Sequence, residues 1–448
     1  MRIFRSFLAW FIPVLLVSCA GPQIPAEQST KNPSTATPLR LPTLPNFPTP
    51  TLSPTETLSP TATATPSIPF TLNRLRMVFV KDGSLYLQEG MKPIQLTYSG
   101  KDREPIISND GEKIVFYRGE AFDNVYSINA DGSQEQTIIV SQSLSVLGRG
   151  DIKSLTFVPN THFLLFNTYL CNQSINLYNA PDCTVGIYSV DADSGEISEL
   201  VSGLSGNGTQ TRNFEISPDG NYVSVATSGH IDIYALSMQR MDISQQNAIL
   251  YNRTTPDEFL PLQYWLPDSS GLVVLVAADI HNEPATPPHS FTVWRYTIHN
   301  KADNSIAKQI LLDPPIMYNA ACNFSVSPDR NQIFYITDRI PSLYLGNLND
   351  GRTQPYEWES SCPTPSYYSY PQWSQDSQHF AWQGTIATIN GAFISIAGDF
   401  SGWIDVNHYF YVAIEENKRK TYIGKIGGDN IALPEGFQLS PAYVLLDK

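Results

Sequence analysis

The chain has 448 residues and a formal net charge of −14, with aromatic residues at 11% and charged residues at only 16%. That balance suits strand-rich material better than a helical bundle, and the length allows either two or three domains or one large all-β body. An acidic chain without clustered Lys and Arg argues against a nucleic-acid partner, because phosphate neutralisation needs such clusters.

The N-terminus carries Arg2 and Arg5 ahead of the apolar run "FLAWFIPVLLVS", which ends at Cys19 and is too short for a comfortable membrane span. Residues 1–19 therefore read as an export signal. "LVSC", Leu16 to Cys19, resembles the lipobox of bacterial lipoproteins. That resemblance implies cleavage before Cys19 and a lipid on its thiol, which would anchor the chain at a membrane surface; an ordinary secretory signal with an incidental Cys is the alternative.

Composition then changes abruptly. Of the 49 residues from Pro22 to Phe70, 12 are Pro, 11 Thr and 5 Ser. Nothing there can build a core, so residues 20–70 are expected to form a disordered, extended Pro/Thr/Ser-rich stalk, at ~3 Å per residue where polyproline geometry holds. Removing signal and stalk leaves 24 basic and 40 acidic residues in the body at 71–448.

Within that body one pattern returns six times: "ISNDGEKIVFY" from 107, "FVPNTHFLLFN" from 157, "ISPDGNYVSVA" from 216, "WLPDSSGLVVLV" from 265, "VSPDRNQIFYI" from 326 and "WSQDSQHFAWQ" from 373. In the third copy Pro218 presets the turn, Gly220 supplies a left-handed position, and Tyr222 to Ala226 follow as a β-rich strand. Taking Asp110, Asn160, Asp219, Asp268, Asp329 and Asp376 as equivalent, the spacings are 50, 59, 49, 61 and 47 residues, as expected for four-stranded modules with variable loops. Second strands such as "NVYSINADG" and "SLYLGNLNDG" complete the unit. These features resemble TolB-type β-propeller repeats, with an aromatic residue or Ser before a Pro-Asp-Gly turn, a hydrophobic strand and an Ile-Tyr strand ending in Asp-Gly. The resemblance covers about residues 71–448 and implies an all-β propeller, while saying almost nothing about function.

A further unit follows from 403, and residues 76–97 look like a unit lacking its first strand. "FQLSPAYVLL", 437–446, is suited to supply that strand from the other end of the chain. The count is then eight blades, or seven if the short unit at 373 merges with its neighbour.

Besides Cys19 there are four cysteines, an even number in a chain with an export signal, so disulfides are the expected use. Cys171 and Cys183 bracket a loop within one unit, and Cys322 and Cys362 stand shortly before the turns of adjacent units. The expected pairs are 171 with 183 and 322 with 362. Neither a CxxC motif nor a His spacing supports a metal site, and no cofactor motif is present.

Catalytic signatures are also missing. There is no G-x-S-x-G elbow, and the repeats occupy the whole length beyond the stalk. His162, His230, His281, His289, His299, His379 and His408 are scattered without H-E-x-x-H spacing and read as ordinary loop or strand residues. "DADSGE", Asp191 to Glu196, reads as a strand-connecting turn rather than a calcium loop. One segment suggests binding: "YEWESSCPTPSYYSYPQW", 356–373, in which Tyr356, Trp358, Tyr367, Tyr368 and Tyr370 could stack on a sugar or hold a peptide. The expected function is a lipid-anchored extracytoplasmic module that binds a protein or glycan at the cell envelope, with no nucleic-acid partner. A propeller enzyme acting on glycans through carboxylates in the central cavity is the alternative.

Overall fold

The computed structural model describes residues 70–446, apart from 172–181, 251–260, 279–289, 357–370 and shorter stretches between strands. Residues 1–69, on which the expected export signal, Cys19 and nearly all of the expected stalk fall, lie outside the described residues. No helix among the described residues is long and apolar enough to cross a membrane.

The repeated turn is held by its own side chains. The Ser217 hydroxyl donates to Asp219 Oδ1 at 2.6 Å and accepts the Tyr222 N–H at 2.9 Å, while the same carboxylate oxygen accepts the Asn221 N–H at 3.0 Å. Side chain and backbone thus close one small ring, with Gly220 at φ 74° in the left-handed region. Ser108 with Asp110, Ser327 with Asp329 and Ser374 with Asp376 repeat the arrangement. In the copy at 265 Leu266 replaces the Ser, and Ser270 donates to Asp268 from the other side at 2.6 Å. Asn160 departs further, because it takes the left-handed conformation itself at φ 59°.

After each turn the strands form an antiparallel meander. Eight sheets result, each with four strands in radial order and one with an additional short strand. Blade 2 spans 102–140, blade 3 151–207, blade 4 214–250, blade 5 262–317, blade 6 325–355, blade 7 372–395 and blade 8 399–432. Blade 1 takes three strands from 75–95 and its innermost strand, Ala442–Leu445, from the other end of the chain. Leu75–Val78 pair with that strand residue by residue, from Leu75 opposite Leu445 to Val78 opposite Ala442. The seven-blade alternative falls, since residues 372–395 make a full four-stranded sheet with unusually short connections.

Packing explains the near-continuous apolar second strands. Both faces of a blade are covered, so Ile114 and Phe116 pack toward blade 1 while Val115, between them, packs toward blade 3. Eight clusters of buried apolar side chains lie at the eight junctions between neighbouring blades, including the junction of blade 8 with blade 1, where Leu75, Met77, Ile404, Phe410 and Ile423 meet. The ring is therefore closed by core packing as well as by strand pairing.

Aromatic side chains ahead of the turns stitch neighbouring blades together. Trp265 Nε1 donates to the Glu215 carbonyl at 3.0 Å, Trp373 Nε1 to Ser325 at 3.0 Å and Trp403 Nε1 to Gln372 at 2.8 Å. The Tyr443 hydroxyl donates in the same way to the Trp403 carbonyl. Each bond runs from one innermost strand to that of the preceding blade.

Candidate functional site

The meander decides which connections share an end of the ring. Turns from first to second and from third to fourth strand lie at one end; links from second to third strand, and from each blade to the next, lie at the other. At the first end the first-to-second turns are four or five residues long, and no turn exceeds eight. At the second end the connections run to 10 residues at 141–150 and 172–181, 11 at 251–261 and 279–289, and 16 at 356–371, while 311–324 carries the short additional strand Ile316–Met317 of blade 5. The long connections lie within or leave blades 2 to 6, whereas blades 1, 7 and 8 turn from second to third strand with only two residues, Asp82–Gly83, 383–384 and Glu416–Asn417.

Trp358, Tyr367, Tyr368 and Tyr370 lie outside the described residues, as do Cys322 and Cys362. Tyr356 is described, and its placement corrects the expectation. It is 4% exposed, with its ring against Phe334, Phe380 and Phe393, and its hydroxyl donates to the Thr388 carbonyl at 2.5 Å. Burial pushes its hydroxyl up to a pKa of about 12. Tyr356 is thus a core residue at the junction of blades 6 and 7, because the fourth strand turns it inward before the long connection begins.

Cys171 and Cys183 are register partners across the second and third strands of blade 3. Residues directly opposite in an antiparallel pair have Cα atoms about 4.5–5.5 Å apart, inside the range a disulfide requires.

The short-turn end holds a charged cluster that sequence reading missed. Lys113, 1% exposed, places Nζ 2.6 Å from Asp193 Oδ1 and 2.6 Å from Asn129 Oδ1. His162 lies between two carboxylates, with Nδ1 2.7 Å from Asp193 Oδ2 and Nε2 3.0 Å from Asp110 Oδ2. Partial burial disfavours the imidazolium, but the hydrogen bonds to Asp193 and Asp110 outweigh it and raise the His162 pKa. Asp193 and Asp110 shift the other way: burial raises each, and the bonds from Lys113 and His162 to Asp193, or from Ser108, the Glu112 N–H and His162 to Asp110, bring the net shift down. Both ring nitrogens are engaged, so this histidine fastens blade 2 to blade 3 and has no free lone pair for a general base. The visible signal was Lys113 itself, a charge where related copies carry Phe163 or Tyr222. His379 and His408 begin strands, consistent with their ordinary reading, and Asp191 to Glu196 form a turn in which Asp191 Oδ1 accepts the Asp193 N–H at 2.9 Å.

No family model matches the sequence, and neither does any curated protein. Among solved structures, the chain is similar to an oligogalacturonate lyase in complex with manganese, at 11% identity over 79% of this chain and 83% of that one, with a TM-score of 0.39. It is also similar to TolB from Acinetobacter baumannii, at 12% identity over 76% and 81% with a TM-score of 0.30. The β-propeller domain of the Trilobed protease from Pyrococcus furiosus gives 10% identity over 76% and 98%, with a TM-score of 0.42. Nothing is carried over from likenesses this distant; the eight four-stranded sheets and the eight cores between them make this chain an eight-bladed β-propeller.

Proposed function

We propose that this protein is a lipid-anchored, extracytoplasmic β-propeller that binds a protein or glycan partner at the cell envelope, using the long-loop end of the ring. The observation that carries this reading is the asymmetry of the connections. One end is reduced to short turns locked by Ser and Asp side chains, while connections of up to 16 residues join strand ends at the other end of the scaffold. The export signal, Cys19 and the stalk supply the anchor and reach, and the register of Cys171 with Cys183 suits an oxidising compartment. The enzymatic alternative asks for converging carboxylates. One described inner-strand acid, the fully buried Asp102, is already held by Arg118, Thr97 and Ser99 and is not available for such a role.

The test has two arms. Labelled palmitate should enter the wild-type chain in an expressing bacterium and be absent from Cys19→Ala. Sedimentation with purified envelope should be lost when 279–289 and 357–370 are each replaced by a short Gly/Ser link, with the melting temperature retained. Undiminished sedimentation of that variant would remove the long-loop end as the binding surface.

A further inference from the structure

Two junctions of the ring match in register, and their difference exposes a second site. In blade 2 Lys113 pairs with Asn129 across the second and third strands; in blade 6 Gln332 pairs with Asn347 at the same place. Gln136 on the fourth strand of blade 2 donates to the Ala192 carbonyl of blade 3 at 3.1 Å. Gln354, its counterpart in blade 6, donates to the Ile389 carbonyl of blade 7 at 3.3 Å. The next residues in the two neighbouring turns are Asp193 and Asn390. The first junction is shut by the Lys113–Asp193 ion pair. The second has Gln332 and Asn390 in place of that pair, and a cleft of about 360 Å³ opens there.

We infer that this cleft between blades 6 and 7 binds an uncharged polyhydroxylated ligand, a saccharide unit of one or two rings. Gln332, Asn347, Gln354 and Asn390 line it with amides, and Leu345 and Ile389 supply an apolar wall. Its lining contains no carboxylate, and the guanidinium of its Arg352 is matched by Asp350 at 3.2 Å. Gln332 Oε1 is buried without a hydrogen-bond partner, although its side chain is one of those forming the wall. A buried acceptor left unpaired is costly, so turning the Gln332 amide toward a donor in the cleft is favourable. Amides offer paired donors and acceptors, which match hydroxyl groups that both give and take a hydrogen bond. The volume is far above the roughly 30 Å³ share of one water and falls within the range of small-molecule pockets, about 300–1,000 Å³. The cleft is at the short-turn end, opposite the long loops, so the inference stands apart from the proposed envelope-binding surface.

Saturation-transfer NMR on the full chain with maltose, cellobiose and N,N′-diacetylchitobiose tests it, alongside thermal melts. At least one disaccharide should bind the wild type. Gln332→Lys combined with Asn390→Asp recreates the closing pair of the other junction, and should raise the melting temperature while weakening that disaccharide at least tenfold. Gln332→Leu, which removes only the waiting acceptor, should weaken it as well. A wild type that binds none of the three sugars would overturn the inference, as would binding unchanged in the folded variants; envelope sedimentation measured on the same variants reports separately on the long-loop end.

Discussion

At the scale of single residues, the clasp around His162 gives the molecule a pH-dependent fastening. The folded-state pKa of His162 is raised above its unfolded value of about 6.5, so its contribution is fully present below that pH and is lost as pH rises through the folded value. Asp110 and Asp193 have lowered values, so their contribution is present above about 4 and is lost as pH falls through their folded values. Between those limits all charges of the clasp coexist. Melting curves of the wild type and His162→Gln should therefore differ most at pH 5 to 6, and the gap should narrow in alkaline buffer; a gap independent of pH would mean that the imidazole acts through packing alone. The residue scale was only partly legible in the sequence. Repetition exposed the turn Ser and Asp residues and the Trp positions, whereas His162, read as an ordinary loop residue, is held between Asp193 and Asp110. Lys113 and Asp193 escaped because their partnership is made between blades, where spacing along one chain carries no information, and Tyr356 misled because a buried and an exposed aromatic look alike in sequence.

At the scale of the element, the five-residue turn is the unit that the repeat preserves. Asp219 Oδ1 accepts from both Ser217 and the Asn221 N–H, and Oδ2 accepts from Asn221 Nδ2 at 2.9 Å. Burial raises its pKa, but the Ser217 and Asn221 bonds outweigh that and hold the carboxyl below the usual range. Asp219→Ala removes these acceptors together, and a loss of about 1–2 kcal/mol is expected, comparable with deleting a helix cap. The urea midpoint should fall with the m-value unchanged, because no additional surface is exposed by the native state. A changed m-value would show instead that the turn governs the compactness of the whole blade. Strands and turns were legible because period, turn chemistry and repetition agree. The cleft between blades 6 and 7 was not, since it follows from Gln332 and Asn390 standing where another junction places Lys113 and Asp193, a comparison that needs the register of both.

At the scale of the whole molecule, ring closure ties the two ends of the body together. Leu446 N–H donates to the Arg74 carbonyl at 2.8 Å, Arg74 Nε returns a bond to the Leu446 carbonyl at 2.9 Å, and Tyr443 reaches across to blade 8. Removing 437–448 would strip the innermost strand from blade 1, expose the Leu75–Val78 edge, and uncover the cluster of Met77, Phe410 and Ile423. Loss of one strand therefore damages two blades, and a destabilisation above about 4–5 kcal/mol is expected, enough to unfold an ordinary domain or drive it into aggregates. Tyr443→Phe isolates the stitch from the strand: it leaves the ring in place and deprives the Trp403 carbonyl of its donor, for a loss of about 1 kcal/mol. Chemical denaturation of both variants separates the terms. A truncated protein that unfolds at the wild-type midpoint would mean that the seven remaining complete blades hold the ring without closure, whereas a large loss in the truncation with a small one in Tyr443→Phe places the stability in the paired strand and the core it covers.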